Sequence, residues 1–522
     1  VKKLFYIIFL IGILICSVSI ENENRAINTT DYISYNLGQR PNNLVMTDNL
    51  DVRKKDILLA LFQGLVTEDA NGEIINGIAE EYTVSEDGLE YTFKIRESAK
   101  YSNGDKIVAQ DFTNFFKSFI EDKNNIYAEQ LNCIFGVQDF KNRKVGFEEV
   151  AIKAKDERLL SIRLNYRCPY FIKILSQPVY SLRDYNVLMN GFDESYKKIR
   201  YTGPFIVDKI NEKKHIIIAK NLNYYGSNEV TNEVIKFTFV EDKEKALANF
   251  ELNGEGEENI HIVADTPVNE YFRLENEGKL KSFPSNSVYY LNFNIKGNKL
   301  AGDINFRNAL NSILSKEYYS QQIAKNFAIP ASLYVPKGNA DKKLFDTFAN
   351  KNQSEEYLKK TNIKGNETIT LVYEEDGLNK RIAEDLAKNI LQDLGIHISI
   401  KGYRQDELEQ VIQKNQYDMH LSKFKPIFDD MYLYYDIWSS KSKENLIRYS
   451  NPKYDEIVKA AKYEWNEEQR SVFYRQCEDI LREDLPSVPI YYINTILCIK
   501  PNITGVYATP SGNIKLEYLK VN

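Results

Sequence analysis

Soft metal ligands are scarce in this 522-residue chain, which has 4 His and 5 Cys, together with only 4 Met and 2 Trp. Cys133, Cys168, Cys477 and Cys498 show no paired short spacing, so neither a zinc ribbon nor a Cys-x-x-Cys redox motif is present. They are expected as small buried residues whose pairing the sequence leaves open. His215, His261, His397 and His420 are scattered, and no metal or cofactor is expected. There is no Gly-x-Ser-x-Gly elbow and no Gly-x-x-x-x-Gly-Lys phosphate loop, which argues against two common enzyme classes. Positive charge is not in excess: 68 Lys and Arg against 74 Asp and Glu give a net charge of −6, which disfavours nucleic acid as a partner. Internal repeats and low-complexity segments are missing too. What remains, 43% hydrophobic and 27% charged residues, is the balance of a globular protein with about three domains, rich in Tyr (36) and Phe (27).

The chain opens with Val1-Lys2-Lys3 and an apolar run from Leu4 to Ile15, the layout of a bacterial export signal. Cys16 follows and a polar stretch begins at Glu21, as in signals whose Cys becomes the lipidated first residue. Ile15 departs from the small residue usual before such a Cys, and the alternative is an uncleaved anchor from Leu4 to Ile20. Either reading holds the body at a membrane, outside the cytoplasm. Residues 21–31 read as a polar tether.

Ile57, Leu58, Leu61 and Phe62 recur at helical spacing within Asp51 to Gln63, ahead of Gly64. Glu90 to Arg96 and Leu160 to Leu164 alternate as half-buried strands, and Ile216 to Ile218 is a more apolar one. Helices look sparse in this half. Later, Thr368 to Tyr373, a helix from Asn379 to Leu394 stopped by Gly395, and Ile396 to Ile400 predict a β-α-β unit with a parallel strand pair. Tyr454 to Leu485 reads as largely helical, with Pro486 and Pro489 before a strand at Ile490 to Ile493.

Several stretches carry a resemblance. Gly64-Leu65-Val66-Thr67-Glu68 leads to Val84-Ser85-Glu86-Asp87-Gly88-Leu89-Glu90-Tyr91-Thr92-Phe93, then Tyr101-Ser102-Asn103-Gly104-Asp105 and Ala109-Gln110-Asp111-Phe112. Gly203-Pro204-Phe205, Tyr289 to Asn294, Phe306-Arg307-Asn308-Ala309-Leu310 and the Asp484 to Tyr492 region follow in order. From about Asp51 to near the C-terminus the chain resembles the extracytoplasmic oligopeptide-binding proteins of ABC importers. The resemblance implies an α/β, two-lobed periplasmic-binding-protein-like fold with an additional domain, hinged by two crossing strands. It implies residues 1–20 as a signal or lipoprotein segment. The first lobe would be discontinuous (32–50, 175–288 and 484–522), with the additional domain at 51–174 and the second lobe at 289–483. Closure of the lobes over an oligopeptide or related solute would present it to the permease membrane subunits. The Ser85 to Arg96 and Tyr101 to Phe112 motifs are expected to be structural: Gly88 and Gly104 permit turns, Asp87 and Asn103 bond turn backbone, and Tyr91 and Phe93 fill the core.

Ligand binding is expected in Lys423-Phe424-Lys425-Pro426-Ile427-Phe428-Asp429-Asp430. Peptide-binding members carry a Trp and then an Ala-Asp-Tyr triplet whose Asp pairs with the peptide α-amine. Aligned without gaps, Phe424 takes the Trp position, Ile427 the Asp position and Phe428 the Tyr position. The amine anchor is then missing, unless the loop shifts and Asp429 replaces it. Lys423 and Lys425 add positive charge where the family is usually neutral, which points to a blocked or acidic peptide or another solute; an ordinary peptide fits the shifted loop. The competing classes are a peptide-sensing signalling receptor on the same fold and a surface hydrolase using Asp429 and Asp430, although adjacent carboxylates rarely converge on one bond. The leading expectation is a binding receptor and not an enzyme.

Overall fold

The computed structural model describes residues 32–522 apart from 42, 46–51, 190–194, 212–213, 253–258, 265, 298, 326, 337, 339–343 and 362–367. The export segment, Cys16 and the tether lie outside the described residues. Among those described, no helix is long and apolar enough to cross a membrane.

Two long strands, Leu280–Phe293 and Ser487–Ile499, run antiparallel and belong to one eleven-stranded sheet that reaches into both lobes. At one end Ile262–Val263 pairs with Cys498 and Ile499, and continues through the parallel strands Ile33–Asn36 and Val234–Thr238 to His215–Lys220 and Phe205–Asn211. At the other end Val288 to Phe293 pairs with Met419–Phe424. Parallel strands Thr368–Glu374 and His397–Tyr403 complete that side. Each long strand therefore starts in one lobe and finishes in the other. Their mutual register slips between Phe283 and Ser287, and again between Tyr289 and Tyr290. The second slip falls opposite Pro489, which has no N–H for the ladder.

The β-α-β unit forms as its pattern predicts, with Thr368 opposite His397. Its helix, Gly377–Leu394, buries Ile382, Leu386 and Ile390 and ends at Gly395 with φ +69°, where a residue without Cβ is least strained. The helical stretch before Leu485 divides into Pro452–Tyr463 and Glu467–Asp484, and the strand after it is far longer than its apolar run suggested. Helices in the first half are less sparse than expected. Ala109–Glu121 buries Phe112, Phe115, Phe116 and Phe119 on one face, a spacing that was legible.

That helix packs beside a separate four-stranded sheet containing Glu90–Ile95 and Leu159–Arg163. Here the two turn motifs are structural. Gly88 and Gly104 have φ +69° and +90°, Asp87 Oδ1 accepts from Leu89 N at 3.0 Å, and Asn103 Oδ1 accepts from Asp105 N at 3.1 Å. Tyr91 and Phe93 are buried. Cys133, Cys168, Cys477 and Cys498 are buried free thiols.

Candidate functional site

Two cavities lie between the lobes. The larger, about 780 Å³, is bounded by Arg53, Thr266 and Tyr271 on one side and by Asp376, Arg381, His420 and Lys423 on the other. Ser287, Tyr289 and Tyr491 of the long strands form its floor. Tyr289 and Tyr491 stack at 5.2 Å, and the Tyr289 hydroxyl donates to Asn379 Oδ1, which holds the floor rigid. The smaller, about 470 Å³, is walled by Lys55, Glu68 and Lys173 against Ile427, Phe428 and Asp429, with Ser511 and Asn513 beside them. Val52 and Lys425 line both.

The strand Met419–Phe424 delivers the expected site segment. Lys423 lies opposite Tyr289 and Phe424 opposite Val288; Phe424 sits edge-on to Tyr434 at 5.7 Å. The backbone turns at Pro426, leaving Ile427 48% exposed on the smaller cavity's wall. Phe428 is buried and stacks on Tyr170 at 5.7 Å. Asp429 lines the smaller cavity.

Asp430 lines neither cavity and is only 1% exposed. Its carboxylate caps the helix Met431–Asp436 through Tyr432 N at 2.9 Å, accepts from Arg470 Nη1 and Nη2 at 3.1 and 2.7 Å, and meets Lys173 Nζ at 3.2 Å. Burial alone would raise its pKa, but Arg470 and Lys173 outweigh burial and hold it below the ordinary carboxylate value. Asp430 is thereby spent on structure.

The sequence reading missed groups from the other side. Glu68 faces Asp429 across the smaller cavity; burial and then the Asp429 charge push its carboxyl up, against a hydrogen bond from Ser511. Tyr170 stacks on Tyr432 at 5.5 Å and lies under the Arg470 guanidinium at 5.7 Å. Tyr166 meets Tyr463 edge-on at 5.0 Å. Glu68 stands inside a stretch read only as a family marker, and nothing local distinguishes it from other surface acids. Lys425 is enclosed on most sides, and burial with the charges of Arg53, Lys423 and Lys55 pushes its amine down to about 7. His420 is buried in the larger cavity's wall, and burial lowers its imidazole to about 4, leaving it neutral. No group of three or more His, Cys, Asp or Glu that could hold a metal occurs among the described residues.

Two lobes, two connecting strands and an interlobe cleft with polar groups from both sides define a solute-binding protein of the two-lobed class. The chain belongs to the bacterial extracellular solute-binding proteins, family 5, whose model matches residues 73–445. The dipeptide-binding protein DppE of Bacillus subtilis is 25% identical over 481 residues, covering 88% of this chain and 87% of that protein. Among solved structures, the Escherichia coli murein tripeptide binding protein MppA superposes with a TM-score of 0.75 at 20% identity, over 94% of this chain and 98% of that one. Haemophilus influenzae OppA in complex with RPPGFSPFR superposes with a TM-score of 0.72 at 20% identity, over 94% and 99%.

Proposed function

We propose that this protein is an extracytoplasmic receptor that captures an oligopeptide or a closely related solute by lobe closure and delivers it to the membrane subunits of an ABC permease. The observation that carries the reading is the pair of adjoining cavities walled by both lobes, with a floor made by the strands that connect them. A ligand touching both walls stabilises the closed arrangement over the open one, which is the differential affinity that closure requires. The relatives' names, a dipeptide-binding protein and a murein tripeptide binding protein among them, support a peptide. Mass spectrometry of the protein purified under native conditions, and again after incubation with a mixed peptide digest, tests it. A peptide bound at one per protein molecule is expected; saturation by a non-peptide solute with no exchange for peptide would overturn the peptide reading.

The smaller cavity takes the leading end of the ligand. Glu68, whose carboxyl is pushed up by burial and then by the charge of Asp429, is relieved by a cation held between the two. This supports the shifted-loop alternative, in which Asp429 replaces the triplet's Asp and Ile427 packs against the ligand. Anchoring to the membrane through Cys16 completes the proposal on the strength of the basic start, apolar run and polar tether. Metabolic lipid labelling is expected to be lost in Cys16→Ser, and retained labelling would sink the anchor.

A further inference from the structure

Where the two cavities meet, three cations gather around one amine. Lys425 comes from the second-lobe strand end, while Arg53 and Lys55 come from the helix Val52–Leu61. Lys423 lies two residues upstream of Lys425 and lines the larger cavity. Asp56 counters Lys425 less strongly than Arg53, Lys423 and Lys55 oppose it. Asp56 is also fully engaged. It accepts from the Tyr35 hydroxyl at 2.7 Å and from Ile514 N at 2.8 Å, and it pairs with Arg53 at 3.1 Å. Arg53 in turn donates to the carbonyl of Gly512 and to the Tyr35 hydroxyl.

Lys425 Nζ lies against Gly512, where a Cβ would sit 2.8 Å from it and the flexible amine would have to shift. Gly512 also has φ +81°, a backbone conformation that costs any other residue. Among the described residues Lys425 makes no hydrogen bond or ion pair. Lys173, also in the cleft, is paired with Asp430, and Lys316 is buried away from both cavities. An amine in a cleft among three like charges, with no ion pair among the described residues, is one that a ligand's negative charge relieves.

We propose that Lys425, with Arg53, Lys55 and Lys423 around it, forms an anion subsite that takes a carboxylate of the bound peptide, so that this receptor selects acidic peptides. The proposal rests on the peptide-receptor reading above and specifies its substrate class. The carboxylate of an Asp or Glu residue within the peptide is the committed source, and the carboxylate at the peptide's own C-terminus shares the chemistry. A carboxylate reaching Nζ gains a charge-assisted hydrogen bond and lowers the repulsion among the four cations together. It also explains why the position carries Lys in a stretch that the resemblance expects to be neutral.

Random tri- to pentapeptide pools, made once as free acids and once as C-terminal amides, are incubated with the full-length protein and the bound fraction is sequenced by mass spectrometry. In the amide pool Asp and Glu should be enriched about ten-fold over Asn and Gln, the worth of one charge-assisted hydrogen bond. Lys425→Met should lose the enrichment while still binding peptide, and Lys425→Arg should retain most of it. Binding confined to the free-acid pool, and dependent on Lys425, would support the subsite with the C-terminus as its carboxylate. Equal profiles in wild type and Lys425→Met, or enrichment of Lys and Arg, would overturn the proposal and leave the receptor reading standing. Failure of both pools to bind wild type would remove the receptor reading, and this one with it. If Lys425→Met does not fold, acylation of Lys425 in the wild type decides: the bound Glu-containing pool should protect it, and an unprotected Lys425 overturns the proposal.

Discussion

At the residue scale the smaller cavity poses a contest between Ile427 and Asp429. Ile427 occupies the ungapped position of an amine-binding carboxylate and is 48% exposed on the cavity wall, where an ammonium would find no partner. Asp429 shares that wall and faces Glu68 across the cavity. Charge decides between them, because an ammonium held by two carboxylates in a partly dry cleft gains more than its contact with an aliphatic group loses. Free-amine peptides should therefore bind about ten-fold tighter than their N-acetylated forms. Asp429→Asn should erase that preference in calorimetric titrations. If Ile427→Asp alone creates a preference that wild type lacks, the ungapped register is the right one. The sequence narrowed the candidates to this short stretch but could not choose among them, since exposure at residues 427 to 430 depends on how the backbone turns after Pro426.

At the scale of elements, the segment from Tyr166 to Lys173 works as a contact strip against the stretch from Phe428 to Arg470. Tyr170 is stacked on both Phe428 and Tyr432, and Lys173 reaches the carboxylate that also holds Arg470 and caps Met431–Asp436. The two ion pairs are unequal. Arg470 and Asp430 are nearly enclosed, at 10% and 1% side-chain exposure, whereas Lys173 is 40% exposed. Asp430→Ala strands a buried guanidinium and leaves the helix start uncapped, so it should cost roughly 3–5 kcal/mol in urea unfolding. Lys173→Met should cost less than about 1 kcal/mol, because water already screens that pair. Asp430 has a lowered pKa in the folded protein, so its contribution is present above the unfolded carboxylate value near 3.8 and is lost as the pH falls through the folded one. Acid unfolding of Asp430→Asn should accordingly be flatter than that of wild type below about pH 4. An equal cost for both substitutions would mean that Arg470 is not the principal partner.

For the whole molecule, the two long strands are the physical link through which ligand binding becomes a change of shape. At one end Ile262–Val263 pairs with Ser487–Ile499, and at the other Met419–Phe424 pairs with Leu280–Phe293. The register slip between Phe283 and Ser287, a stretch containing Pro284, separates those two regions and offers the softest ladder between them. It lies a few residues before 288–289, where the family resemblance implies the boundary between the lobes. Closure about it should lower the radius of gyration in solution X-ray scattering when a bound peptide is added. An unchanged scattering curve at saturation would mean that this protein binds without moving its lobes.

The sequence alone determined the α/β class, the parallel β-α-β unit of residues 368–403, the stop at Gly395 and the family resemblance. These depend on periodicity and on turn chemistry within a few residues, which a linear reading captures. The thirteen-residue helix at Ala109–Glu121 went unread, although its phenylalanines recur at helical spacing. Only the tertiary structure decided that Asp430 turns inward to Arg470 while its neighbour Asp429 faces Glu68, and that Lys425 meets Arg53, Lys55 and Gly512. Those partners come from segments far apart in sequence, brought together by strand register and by the packing of one lobe on another. No local pattern encodes such a meeting, because the energy that selects it is shared among the whole sheet and core and not carried by the residues that meet.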